Sequence, residues 1–180
     1  MPVSLGGCIF LHHHKRAQSM PVFEAPPPSS ALALLPGATF ADAFAIDVAD
    51  PALDAETAAR RSLGGAPPRW IAALLVMRDV LVCPFGLKTR EMASATKADR
   101  IDFFPCLSRS PERVILGLDD THLDFRIAID ASPSGAGVQR ITLTTVVRPH
   151  NLLGRIYLAI VMPFHKLIAP AMLARTRPQT

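Results

Sequence analysis

Between residues 100 and 149 hydrophobic and polar positions alternate with a period of two. Four stretches carry the pattern: "RIDFFPCL" (100–107), "RVILGLDD" (113–120), "HLDFRIAID" (122–130) and "VQRITLTTVV" (138–147). Each reads as a β-strand. The links between them, "SRSPE", "DDT" and "ASPSGAG", are short. Short links join antiparallel neighbours, so the four strands predict a meander. In the third strand Leu123, Phe125, Ile127 and Ile129 point one way, and His122, Asp124, Arg126 and Ala128 the other. In the fourth, Ile141, Leu143, Thr145 and Val147 oppose Arg140, Thr142, Thr144 and Val146. One face of the sheet is therefore apolar and needs a cover.

The most hydrophobic stretch, "NLLGRIYLAIVMPFHKLIAPAML" (151–173), supplies it. A membrane span needs about 20 mostly apolar residues. Between Arg155 and His165 nine residues run without interruption, Pro163 among them, and Lys166 adds a charge. The pattern predicts no membrane span. It predicts a helix with Arg155 and Lys166 on one narrow face and Ile156, Ile160, Phe164, Leu167 and Ala171 opposite them. A helix apolar over most of its circumference is a core helix. Asn151 is placed to cap it, and Pro163 to bend it.

Upstream, "EAPPPSSALALLPGA" (24–38) reads as a surface lead-in and "TFADAFAIDV" (39–48) as a first strand. "DPALDAETAARRSL" (50–63) starts a helix, with Asp54 as cap and Glu56 in its first turn. "GGAPP" (64–68) breaks it. "RWIAALLVMRDVLVCPFGL" (69–87) predicts a second helix ending at Pro84 or Gly86, with Trp70, Leu74, Leu75, Met77 and Leu81 apolar, and 88–99 a polar loop. The fold class is thus α+β. It is a helix-grip arrangement, with a curved antiparallel sheet wrapped around a long C-terminal helix and two helices after the first strand. Residues 1–37 form an N-terminal extension and lead-in, partly disordered, and 38–176 a single domain.

Composition narrows the function. Of 180 residues, 49% are hydrophobic and 19% charged, which suits one globular domain. The net charge is +4, but Lys15 and Arg16 lie in the N-terminal extension. Without them 17 basic residues face 15 acidic ones, scattered along the chain, which predicts no nucleic-acid partner. Cys8, Cys83 and Cys106 have neither the CxxC spacing nor a histidine at metal-ligand spacing. Cys83 and Cys106 lie among apolar residues and read as reduced, buried thiols, which favours the cytoplasm. "SLGGC" lacks the basic start and apolar run of a lipoprotein signal, and "HHHKR" (12–16) has nothing around it to rigidify a metal site. Met20 opens a segment like an ordinary protein start, so residues 1–19 are set aside from the fold. "PSGAGVQ" (133–139) is a hairpin turn rather than a dinucleotide loop, having no third glycine and no following helix. No metal and no cofactor is expected.

The sequence resembles an uncharacterised bacterial family, domain of unknown function 2867. The resemblance runs from about Phe40 to Met172. It rests most specifically on Asp120-Thr121-His122-Leu123-Asp124-Phe125-Arg126 and on Gly154-Arg155 through Pro163-Phe164-His165. It implies a START-like fold, in agreement with the element order above. It also implies a cavity between helix and sheet, and a relation to short-chain-dehydrogenase-like domains, behind which the family also occurs fused. The family has no agreed activity, so no catalytic residue carries over.

Three polar residues, His122, Asp124 and Arg126, share one strand face about 7 Å apart. A histidine beside a carboxylate can act as a general base, and an arginine can hold an anion. The plainer reading is a solvent-facing row on the convex side of the sheet. Asp119 and Asp120 read as turn residues. His150 precedes the C-terminal helix, and His165 lies beside its apolar face, able to line a cavity. Ser108 and Ser110 lack a nucleophile-elbow context. Two functions of different classes follow, with a binding module favoured over an enzyme. In the first, a small hydrophobic molecule sits against Leu123, Phe125, Ile127, Leu143, Val147, Tyr157, Phe164 and His165. In the second, the same fold performs acid–base chemistry on a hydrophobic substrate, which requires two titratable groups converging in the pocket. A third reading is a partner domain for a separate dehydrogenase-like protein.

Overall fold

In a computed structural model, residues 20–66, 68–73, 76, 99–102 and 104–178 are described. Among the described residues seven strands form one antiparallel sheet: β1 (Phe23–Ala25), β2 (Phe40–Val48), β3 (Arg100–Ile101), β4 (Phe104–Arg109), β5 (Arg113–Asp119), β6 (Leu123–Gly135) and β7 (Val138–Pro149). Their order across the sheet is β1-β2-β7-β6-β5-β4-β3. The meander from β4 to β7 is the predicted one, and β3 adds a strand at its edge. β2 joins its far side, running from Phe40 opposite Val147 to Val48 opposite Gln139.

Among the described residues two long helices lie against the sheet. Helix α1 (Ala55–Leu63) is capped by Asp54, whose carboxylate accepts from the Thr57 amide at 2.7 Å. Its alanines, Ala55, Ala58 and Ala59, are fully buried and let it approach β5 and β6 closely. Helix α2 (Leu152–Leu173) is capped by Asn151, which accepts from the Gly154 amide at 3.0 Å, and packs over β2 and β7. It is continuous through Pro163 and Pro170. The core lies between these helices and the inward residues of the strands: Phe44, Ile46, Val114, Leu116, Ile129, Ile141 and Leu143.

The structure departs from the sequence reading at four places. The stretch 100–107 is not one strand. Asp102 adopts a left-handed backbone (φ 55°), and the chain folds back so that Ile101 pairs with Phe104. The lead-in contributes the edge strand β1, and Ala31 and Leu35 cover Val146 on the convex face. Helix α2 is rotated from the predicted face. Ile156, Ile160 and Leu167 remain 48%, 47% and 61% exposed, whereas Gly154, Ala169 and Leu173 are buried. A single sheet covers only part of a helix's circumference, and α2 is apolar beyond that part. By length and composition alone the helix from Leu152 to Thr176 could cross a membrane. Finally, Trp70 is exposed and its neighbour Ile71 is buried. Residues 69–73 are helical as predicted. The rest of that second helix apart from Val76, the loop to residue 98, Cys8, Cys83 and residues 1–19 lie outside the described residues. Cys106 is a free thiol, half-buried.

Candidate functional site

Between the two helices and the sheet lies a partly open cavity of about 160 Å³. Leu63 of α1 and Ile168, Ala169 and Met172 of α2 form its roof, and Ile127 and Leu143 its floor. Ile71 and Phe104 also contribute. The floor follows from strand alternation: Ile127 and Leu143 are inward positions on the adjacent strands β6 and β7. The cavity is about half the ~300 Å³ at the lower end of common ligand pockets.

Of the eight predicted lining residues, Ile127, Leu143 and His165 reach this cavity. Phe125 stands behind its wall, edge-on to Phe104 with ring centroids 5.9 Å apart. Leu123 and Val147 are buried further along the sheet, and Tyr157 and Phe164 are half-buried on α2. These five lie outside the lining.

The polar part of the wall is Thr145, Asp102 and His165. His165 is held from behind by Asp42, an inward residue of β2 that is 7% exposed. Its Nε2 lies 3.2 Å from Oδ1 and 3.0 Å from Oδ2 of Asp42. Only the first contact has hydrogen-bond geometry, so Oδ2 has no hydrogen bond within the protein. The rings of Phe40 and Phe44 flank the imidazole at 6.4 and 6.5 Å. Asp42 and Thr145 are direct cross-strand partners. Thr145 is 8% exposed, and its Oγ1 also lacks a partner. Thus a histidine held by a carboxylate and an unpaired hydroxyl meet at the edge of an apolar space. The sequence reading passed over Asp42. Its available signal was a carboxylate in the same alternating set as Phe44, Ile46 and Val48, the inward positions of "FADAFAIDV".

His122, Asp124 and Arg126 do not act as a row. His122 sits in the turn before β6, with its Nδ1 3.0 Å from Nδ2 of Asn151. Arg126 pairs with Asp119 at 2.6 Å. Asp124 is on the convex face, away from the cavity, yet its side chain is only 3% exposed. Its Oδ2 accepts from Arg148 Nη2 at 2.5 Å and contacts His150 Nε2 at 2.8 Å. Its Oδ1 accepts from the Asp120 amide at 3.2 Å. Burial pushes the Asp124 carboxyl up, but hydrogen bonds from Arg148 and His150 outweigh it and hold the group below its ordinary value. Arg148 also donates to the Pro36 carbonyl at 2.8 Å, and the His150 amide to the His122 carbonyl at 2.9 Å. The cluster ties the lead-in, the β6–β7 end and the start of α2 together. Its groups are engaged with one another, which suits a structural clasp better than a reactive site.

Among the described residues no group of three or more His, Cys, Asp or Glu side chains could hold a metal ion. A family model described as "Protein of unknown function (DUF2867)" matches residues 34–172. No curated protein and no solved structure matches the chain.

Proposed function

The chain belongs to the DUF2867 family of proteins of unknown function, and we propose that it is a START-like module binding a small, largely apolar molecule between α2 and the sheet. The observation that carries this reading is the cavity of about 160 Å³ with its mostly aliphatic wall. An apolar cavity of about 150 Å³ stays dry and takes up benzene-sized ligands. A polar ligand would lose its hydration against Ile127, Leu143 and Met172 without compensation. The size favours a single ring or a short chain over a sterol or long acyl group. In this reading α2 is a core helix of a cytoplasmic protein, not a membrane span.

The test is thermal unfolding with benzene or toluene. Saturation at about 100 times Kd stabilises a protein by about 2.7 kcal/mol, which is roughly 5–10 °C for a chain of this size. Ala169→Leu, which fills the cavity from α2, should abolish the shift while leaving the fold intact. If neither probe moves the melting temperature, the binding reading fails and a partner domain for a dehydrogenase-like protein becomes the better proposal. An enzymatic reading draws support from His165 and Asp42 alone, whose 3.0 Å pairing at the cavity edge could serve acid–base chemistry.

A further inference from the structure

We propose that the outer face of α2 docks on an anionic lipid surface, as an interfacial helix that rests on the membrane without crossing it. The proposal goes beyond the cavity and does not depend on what the cavity holds.

The arc of α2 that faces away from the sheet leads to it. Leu152, Ile156, Ile160 and Leu167 are large aliphatic residues left exposed. At about 100° per residue they fall within about 80° of one another, in a strip about 22 Å long. Only 11% of the apolar stretch of this helix is buried. Arg155 and Lys166 are exposed as well. They lie along one border of the strip, about 40–60° from Leu152. Elsewhere arginines pair with carboxylates, as Arg113 does with Asp130 and Arg140 with Asp47. Among the described residues no salt bridge engages Arg155 or Lys166. No acidic residue occurs from Asn151 to Thr180. The strip is thus apolar with an uncompensated positive border. Its complement is an apolar layer edged by negative charge, which an anionic bilayer provides. Acyl chains take up the aliphatic side chains, and the long side chains of Arg155 and Lys166 reach back to the lipid phosphates.

Other occupants fit less well. Two copies packed through this strip would gather the cations of both on one seam, with no carboxylate on either strip to pair them. A membrane span would pull α2 off the sheet and uncover the core that Ala169 and Leu173 close. It would also carry Lys166 into the hydrocarbon, where a charge is costly.

Co-sedimentation of the full chain with vesicles tests this. The parent should bind phosphatidylcholine vesicles containing about 30% phosphatidylglycerol at least fivefold more tightly than phosphatidylcholine alone. Salt at about 0.5 M should reverse most of that advantage. Ile156→Gln with Leu167→Gln should weaken binding about tenfold or more. Both residues face outward and glutamine is a good helix former, so the melting temperature should stay near that of the parent. Arg155→Gln with Lys166→Gln should lower affinity for the anionic vesicles by about fivefold per charge and leave affinity for the neutral ones unchanged. Absence of vesicle binding by the parent would overturn the proposal. So would parental binding by both double variants, which would place the contact on another surface. A dimer that Ile156→Gln with Leu167→Gln dissociates would assign the strip to a second copy instead. Protein that resists extraction from the vesicles by alkaline carbonate would make α2 a span and overturn it too.

Discussion

Asp124 and Arg148 make an ion pair with unequal partners, and the inequality sets a prediction. The Asp124 side chain is 3% exposed and that of Arg148 is 40% exposed. Removing one member of a buried pair costs about 3–5 kcal/mol, because the other is left as an uncompensated charge. That range applies only when the remaining charge cannot reach water. Arg148→Met leaves the enclosed carboxylate, with His150 and the Asp120 amide still bonded to it. The cost should fall at the low end, about 3 kcal/mol. Asp124→Asn leaves the accessible guanidinium, which can rehydrate and keep the Pro36 carbonyl, so about 1–2 kcal/mol is expected. The double variant should lie close to Asp124→Asn rather than at the sum. The folded Asp124 carboxyl titrates below its unfolded value of about 3.9. Its contribution is therefore full above that value and lost as the pH falls through the folded one. Urea unfolding at pH 7, 5 and 3 checks each point. The gap between parent and Asp124→Asn should hold from pH 7 to 5 and narrow at pH 3. An Asp124→Asn cost equal to or above that of Arg148→Met, or a gap unchanged at pH 3, would refute the reasoning.

Two further substitutions bear on how α2 sits. Leu173→Ala should cost about 2–5 kcal/mol in urea unfolding, since Leu173 is fully buried, while Leu167→Ala, at a residue 61% exposed, should cost below about 1 kcal/mol. The reverse order would place the other arc of the helix against the sheet. Gly154→Ala should destabilise despite a helix-propensity gain of about 1 kcal/mol. A β-carbon there would lie 2.1 Å from the His122 carbonyl oxygen, a backbone atom that cannot swing away. An increase in melting temperature for that variant would show that the start of α2 can move off the β5–β6 turn.

What could be read in the chain was what is encoded over a few neighbouring residues. The strands at 113–119, 123–135 and 138–149 show themselves by alternation, and the two helix caps, Asp54 and Asn151, by a polar residue before an apolar run. Strand β1 was invisible because three residues, Phe23 to Ala25, carry no period. The turn at Asp102 was hidden in a run whose hydrophobicity continues across it. The face of α2 was misread for a different reason. Its apolar arc is wider than the sheet can cover, so hydrophobicity does not say which part turns inward. Size does: Gly154 and Ala169 mark the side of close approach. The polar edge of the cavity needed information the local pattern lacks. Asp42 and His165 are 123 residues apart and meet only because β2 lies beside β7 under α2. By contrast His122, Asp124 and Arg126 looked like a site because they are adjacent, and the fold gives each a different partner.

The cavity owes its place to the use of two helices on one sheet. The alanines of α1 bring that helix down on β5 and β6, and Gly154 brings the start of α2 against the turn before β6. The two helices meet in the common core, which Leu63 and Leu173 both join. Along this seam neither helix covers Ile127 and Leu143 completely, and the space left is roofed by Leu63 on one side and Ile168 and Met172 on the other. Filling it would have required only one larger residue at Ala169. Interiors normally pack without such gaps, and a gap lined by aliphatic side chains forfeits dispersion contacts on every wall. Its polar edge carries a second cost, since Thr145 Oγ1 and Asp42 Oδ2 have no hydrogen bond within the protein. Both costs fall in one place. That coincidence favours a binding cavity over an ordinary packing defect.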